Sequence, residues 1–158
     1  MSSIFQKVTN VKTIASDPSY QTTSNSWQYL SGSRILYKPD PLANFINYKF
    51  TFQFMYGSTD DEVIYVTMSS GSSLSQISSS PAEIENSGFT VGNLNSYSRR
   101  TVFYNHITPA WQGEKYIQTS FRHYGGTHDA ELNIIDIWND TDPVNIPVKN
   151  FLMVSSIL

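Results

Sequence analysis

The sequence predicts an all-β sandwich, and three observations lead there. Apolar residues recur with period two, most clearly in FINYKFTFQFMYG (Phe45 to Gly57). There Ile46, Tyr48, Phe50, Phe52, Phe54 and Tyr56 alternate with Asn47, Lys49, Thr51, Gln53 and Met55. Helix signals are scarce: alanine is sparse beside serine and threonine, and no window sustains apolar residues at i, i+3, i+4 and i+7. Turn-forming clusters separate the apolar segments, giving about eight to ten strands, the pattern of an antiparallel sandwich or barrel.

The elements follow in order. An extended piece over Phe5 to Ile14 opens the chain, SDPSYQTTSNS is rich in turn residues, and SWQYL and SRILYK read as short strands around Ser31-Gly32. Pro39 and Pro41 punctuate before the long aromatic strand, which ends at the hairpin-like loop GSTDDE. EVIYVTM, Glu62 to Met68, is apolar on both faces and predicts a strand covered from two sides. SSGSSLSQISSS, Ser69 to Ser80, has Leu74 and Ile77 among its serines and is expected to be a long surface loop or an irregular edge strand. GFTVG, YSRRTVFYNHI, EKYIQTSFRHY, AELNIIDIW and KNFLMVSSIL are the remaining strands, separated by NLNS, TPAWQG, GGTHD and NDTDPVNIP. The last strand is almost uninterruptedly apolar, so it is expected at the centre of a sheet.

A chain of 158 residues suits one domain, 1–158, burying about 70% of its unfolded surface. With no cysteine, disulfides and thiolate metal sites are excluded. A net charge of −3 with 15% charged residues leaves no electrostatic footprint for nucleic acid or an anionic membrane. Arg99-Arg100 is the only adjacent basic pair and reads as two solvated side chains at a strand. The opening MSSIFQKVTN has no signal-type apolar run, and no window approaches the ~18 apolar residues of a membrane span. A soluble chain without membrane insertion is therefore expected.

The aromatic face of Ile46 to Tyr56 has two destinations. Phe50 and Phe52 suit the gap between two sheets, about 10 Å across. Tyr48 and Tyr56 carry hydroxyls that need partners when buried, and tyrosine is favoured where an apolar surface meets a subunit boundary. Tyr37 and Tyr65 repeat the theme, so Tyr48, Tyr56, Tyr37 and Tyr65 are expected at an interface between sister chains.

IFQKVTNVKT followed by SNSWQYLSGSRILYKPDPLANFINYKFTF resembles modules of virion structural and tail-fibre-like proteins of marine bacteriophages, especially cyanophages. The resemblance covers roughly Phe5 to Phe54 and consists of strand and turn types. The rest of the chain matches only loosely. The resemblance implies a jelly-roll β-sandwich similar to tumour necrosis factor and complement-type globular heads, typically a homotrimer, in which residues 1–15 form an extended strand and a candidate assembly arm. Many such modules are repeats in longer proteins, so this chain is expected to be a free-standing virion protein or one excised domain.

Catalytic signatures are missing: there is no G-x-S-x-G, H-E-x-x-H, Walker or dinucleotide motif. His123 and His128 flank Gly125-Gly126 beside Asp129. This set could gather a transition metal or serve a hydrolase, but it reads more simply as a hairpin turn in water. The acidic stretches around Asp60-Asp61-Glu62 and Asp140-Asp142 lack EF-hand spacing and read as Asx turns. No catalytic residue, cofactor or metal is expected. Trp111 in TPAWQGEK is the tryptophan placed on a loop, where it could stack on a sugar while Gln112 and Glu114 reach hydroxyls; the alternative is that it pins its loop. Trp27 and Trp138 read as packing within strands. The candidate binding residues are thus Trp111, Gln112, Glu114, Asp60, Asp61, Tyr124 and His128.

The expected function is a non-enzymatic trimeric fibre or spike head, or a capsid-decorating protein, of a marine phage. Its expected partners are itself, other virion proteins and a host-surface glycan or protein. The alternative is a carbohydrate-binding module or lectin, and behind it a hydrolase.

Overall fold

The structure, a computed structural model, describes residues 7–16, 21–22, 26–56, 63–79, 82–92, 99–123, 130–132, 134–139, 142–147 and 150–158. The strands are β1 (Val8–Ser16), β2 (Gln21–Thr22), β3 (Gln28–Tyr29), β4 (Ile35–Tyr37), β5 (Phe45–Tyr56), β6 (Val63–Gly71), β7 (Ala82–Glu83), β8 (Phe89–Gly92), β9 (Arg99–Pro109), β10 (Lys115–His123), β11 (Ala130–Leu132), β12 (Ile134–Asn139), β13 (Asp142–Pro147) and β14 (Asn150–Ile157), with one short helix, α1 (Leu74–Ser79), after β6.

The pairing is nested. β1 pairs with β14, β4 with β10, β5 with β9, and β6 with β8, all antiparallel, as if one long hairpin had been folded back at β6 and β8. The hairpin then rolls up, setting β14 against β5 and β10 against β6. Two sheets result, with the orders β1-β14-β5-β9 and β4-β10-β6-β8, and this wrapping is a jelly roll. Strands β11 and β2 extend the first sheet, while β3 and β7 extend the second. The fold class read from the sequence is the one observed, and β14 lies between β1 and β5 as its apolar run predicts.

Three local expectations are corrected. AELNIIDIW is two strands rather than one, and Asp142–Pro147, expected to be a turn, is β13, which pairs with β12 in a separate two-stranded sheet. The serine-rich segment holds a helix rather than a loop or edge strand. Its capping explains why: the Gln76 N–H donates to Ser73 Oγ (3.2 Å), and Gln76 Oε1 accepts from the Ser72 N–H and hydroxyl, both at 2.7 Å, a close relative of the capping box. Ile77 then buries itself against the second sheet. The helix sits so close to β6 that a Cβ on Gly71 would stand 2.9 Å from the Ile77 amide nitrogen and 3.0 Å from its Cβ. Gly71→Ala is expected to cost about 1–3 kcal/mol by overpacking and to lift α1 from the sheet; an unchanged thermal midpoint would contradict this close approach.

The extended opening strand expected over Phe5 to Ile14 is present as β1. It is an edge strand whose bulge at Asn10, with φ of 50°, interrupts its register with β14 between Thr9 and Lys12. Thr9 Oγ1 donates to Asp40 (3.1 Å), Asn10 Nδ2 to the Lys38 carbonyl (3.2 Å) and Lys12 Nζ to the Leu36 carbonyl (2.9 Å), tying β1 to the segment around β4. Residues 1–6 lie outside the described residues.

The core is built on the aromatic row of β5. Ile46, Tyr48, Phe50, Phe52 and Phe54 are all buried, with Phe50 stacked on Phe52 at 5.7 Å between centroids and Tyr48 edge-on to Tyr104 at 5.9 Å. From the second sheet they meet Ile64, Val66, Met68, Ile117 and Phe121.

The buried tyrosines satisfy their hydroxyls across the sandwich. Tyr48 of β5 donates to the Ser33 carbonyl (2.7 Å) and shares a hydrogen bond with Thr119 of β10 (3.1 Å). Tyr37 of β4 donates to the Asn10 carbonyl (2.8 Å) and pairs with Ser156 of β14 (2.7 Å). Tyr104 of β9 donates to the Ser87 carbonyl (2.9 Å). Burial raises the pKa of all three phenols above the ordinary tyrosine value, so each remains a protonated donor. Tyr48→Phe leaves the Ser33 carbonyl and the Thr119 hydroxyl short of a partner and is expected to destabilise by about 1–3 kcal/mol in urea unfolding. A wild-type midpoint for that variant would mean that the tie contributes nothing.

Candidate functional sites on the two outer faces

With the even-numbered residues of β5 in the core, its odd-numbered residues face outward, and the register of the first sheet aligns them with neighbours on β14 and β9. Phe151, Thr51 and Phe103 form one row across three strands. Phe103 is 79% exposed and Phe151 48%. Ile107 lies opposite Asn47, and Phe45 lies opposite Pro109; both apolar side chains are also about half exposed or more. Several exposed phenylalanines on one sheet face form an apolar patch of the kind that interaction surfaces use.

The second sheet carries a different surface. Thr67 and Ser69 of β6 and Gln118 and Ser120 of β10 point outward yet are buried, because α1, β7 and the segment from Trp27 to Arg34 rise around them. The enclosed cleft has a volume of about 550 Å³. Its floor is a hydrogen-bonded network. Ser69 and Ser120 hydroxyls meet at 3.2 Å, and Gln118 Nε2 donates to the Ile77 carbonyl (3.1 Å) and to Ser120 (3.3 Å). Thr67 Oγ1 donates to Glu83 Oε1 (2.9 Å) at one wall. At the other, Arg34 Nε donates to Gln118 Oε1 (2.8 Å) while its guanidinium lies 4.3 Å from the centre of the Tyr29 ring. Trp27, 43% exposed, also lines the cleft. Its ring meets Tyr65 edge-on at 5.3 Å and the Arg122 guanidinium at 4.9 Å.

Tyr48 and Tyr37, expected at a subunit interface, are instead sealed inside one chain, because their hydroxyls find partners on the opposite sheet. Tyr65 lies on the outer face of the second sheet, against Trp27 and tight upon Gly88, where an added Cβ would overlap its hydroxyl. Tyr56 pairs through its backbone with Ala130, and its side chain lies outside the described residues. The exposed apolar surface is therefore the reverse of the aromatic row, a face whose β5 residues are mostly polar and whose exposed rings are Phe103 of β9, Phe151 of β14 and Phe45 at the start of β5.

Trp111 is no platform. It packs on the core edge-on to Tyr37 (6.4 Å), with the Lys115 ammonium 5.7 Å from its ring centre, and so pins the β9–β10 turn. Gln112 and Glu114 are exposed on that turn, away from the cleft, and do not converge with it. Asp60, Asp61, Tyr124 and His128 lie outside the described residues, as do Asp129 and the side chain of His123. Among the described residues no cluster of histidine and acidic side chains could hold a metal. No helix among them is long and apolar enough to cross a membrane. His106, half-buried on β9 and stacked on Tyr104 at 6.3 Å, has its pKa lowered by burial.

No protein-family model matches the chain, and neither does any curated protein sequence. Among solved structures it is similar to a chain of the infectious bursal disease virus Gt strain, at 13% identity and a TM-score of 0.46, over 98% of this chain and 37% of that one. A chain of the Gx strain of the same virus gives 11% identity and a TM-score of 0.40, over 94% of this chain and 36% of that one. The chain thus spans little more than a third of the proteins it matches, and a likeness of this size assigns neither family nor function.

Proposed function

We propose that the chain is a non-enzymatic structural protein of a virus particle. In this reading it is a fibre or spike head, or a capsid-decorating protein, of the marine-phage kind, assembled as a homotrimer with other virion proteins as neighbours. Two things support the virion part: the resemblance over Phe5 to Phe54, and the jelly-roll wrapping that the resemblance implies. The observation that carries self-assembly is the row Phe151–Thr51–Phe103 with Ile107 and Phe45 on one outer sheet face. Covering that face with sister chains would remove from water rings that the described residues of one chain leave exposed. The trimeric number comes from the resemblance alone.

Light scattering on the purified chain is the test. A mass of three chains is expected, and a single chain over the whole accessible concentration range would overturn the assembly reading. The virion reading is tested separately, by whether the chain is recovered in purified particles of the virus that encodes it.

A further inference from the structure

We infer that the cleft on the outer face of the second sheet binds a neutral oligosaccharide. The inference does not rest on the virion or trimer reading.

The chemistry of the cleft selects the ligand class. A metal ion needs several oxygen or nitrogen ligands of suitable charge, and among the described residues lining the cleft Glu83 is the only carboxylate. A phosphate or other anion would call for clustered cations, yet among the described residues lining the cleft Arg34 is the only one, offset by Glu83. A wholly apolar ligand would take the Arg34 guanidinium and the Glu83 carboxylate at the walls out of water without giving either a new partner. What remains is a molecule without net charge that offers many hydroxyls to donors and acceptors and apolar C–H faces to aromatic rings. A sugar has that combination.

The donors and acceptors are held in advance. Gln118 is buried and spends its amide on the Ile77 carbonyl, on Ser120 and on Arg34 Nε, so it fixes the guanidinium plane. Tyr29 supports that plane from one side. Beyond Nε, the Arg34 guanidinium has no other hydrogen-bond or ion-pair partner among the described residues, and its terminal nitrogens can donate to ligand oxygens. Glu83 accepts from Thr67 through Oε1, which leaves Oε2 to accept from a hydroxyl pair. Trp27 is the exposed tryptophan among the described side chains; Arg122 and Tyr65 hold its ring at the cleft wall, and the part left open to solvent is where a sugar ring would pack. Little ordering is required on binding, which favours affinity from few contacts. Because the cleft lies on the sheet opposite the apolar face, three chains joined through that face would leave three clefts open, and a branched or surface-bound glycan would then be held with avidity.

The experiment presents the whole chain to an array of neutral, sialylated and phosphorylated oligosaccharides and titrates the strongest ligand in solution. Retention of neutral glycans is expected. Trp27→Ala and Glu83→Gln are each expected to weaken binding about tenfold or more, while Gln112→Ala on the β9–β10 turn leaves it unchanged. Thermal melting of each variant separates lost binding from lost folding, and Glu83, being exposed, is the safer of the two positions. The inference is overturned by no retention on the array, by retention of anionic glycans alone, or by affinity that survives both cleft substitutions. Loss on Gln112→Ala would overturn it too, by placing the site on the turn. The mass from light scattering is read independently, so failure here leaves the assembly reading standing, and the reverse.

Discussion

Phe103→Asp is expected to reduce the particle from three chains to one while leaving the chain folded. Phe103 is 79% exposed, and Thr51 and Phe151 are its row neighbours in register among the described residues. Within the chain the substitution removes almost no buried surface, and exposed substitutions of this kind stay within about 0.5 kcal/mol of wild type. In the proposed assembly a sister chain would cover the same position, so the carboxylate would be desolvated without a partner in every interface. Such a buried unpaired charge costs several kcal/mol, about a thousandfold or more in each association constant. Light scattering reads the mass and a thermal melt reads the fold. A variant that still assembles would show that another face joins the chains, and the apolar row would then need a different explanation.

Phe52→Ala is expected to be the most damaging single change in the core. Its ring is buried, stacked on Phe50 at 5.7 Å, and lies in the middle of the row that fills the space between the sheets. Removing it forfeits the transfer free energy of the ring and opens a cavity that the strands on both sides cannot close without bending, about 3–5 kcal/mol in all. Because a domain of this size is typically stable by about 5–15 kcal/mol, that is a large part of the whole. Urea unfolding should show the midpoint falling steeply for Phe52→Ala and hardly at all for Phe103→Ala. Equal losses for the two would mean that the division of β5 and β9 into inner and outer faces is wrong.

These two experiments separate residues of one chemical type by the face they occupy, and the sequence speaks unevenly about faces. The alternation in FINYKFTFQFMYG tells which residues share a side, and all of Ile46, Tyr48, Phe50, Phe52 and Phe54 do. It does not tell what covers that side. Tyr48 looked like a residue for a wet boundary because its hydroxyl needs a partner, and the partner turned out to be Thr119, 71 residues away on the opposite sheet. The helix α1 was overlooked although its signal was present: Ser73 three residues before Gln76, with Ile77 next, is a cap and an anchor. Two apolar residues in a serine tract, Leu74 and Ile77, are too few for any periodicity to register. For a related reason the sequence left Trp111 between a sugar platform and a pin for its loop, and did not foresee that Trp27 is 43% exposed. A tryptophan in a short strand and one in a turn differ in exposure only through what is packed beside them, and Tyr37 covers Trp111 from another strand.

From its sequence alone this protein was bound to be all-β, with a known inner and outer side to its longest strand and an apolar last strand at a sheet centre. Those features follow from backbone geometry, which makes neighbouring side chains alternate, and from the cost of exposing an apolar strand to water. The cleft and the bridging tyrosines belong to the tertiary structure. Arg34 meets Gln118 across 84 residues and Tyr37 meets Ser156 across 119. Such pairs exist only once the long hairpin has rolled up and brought its distant strands side by side.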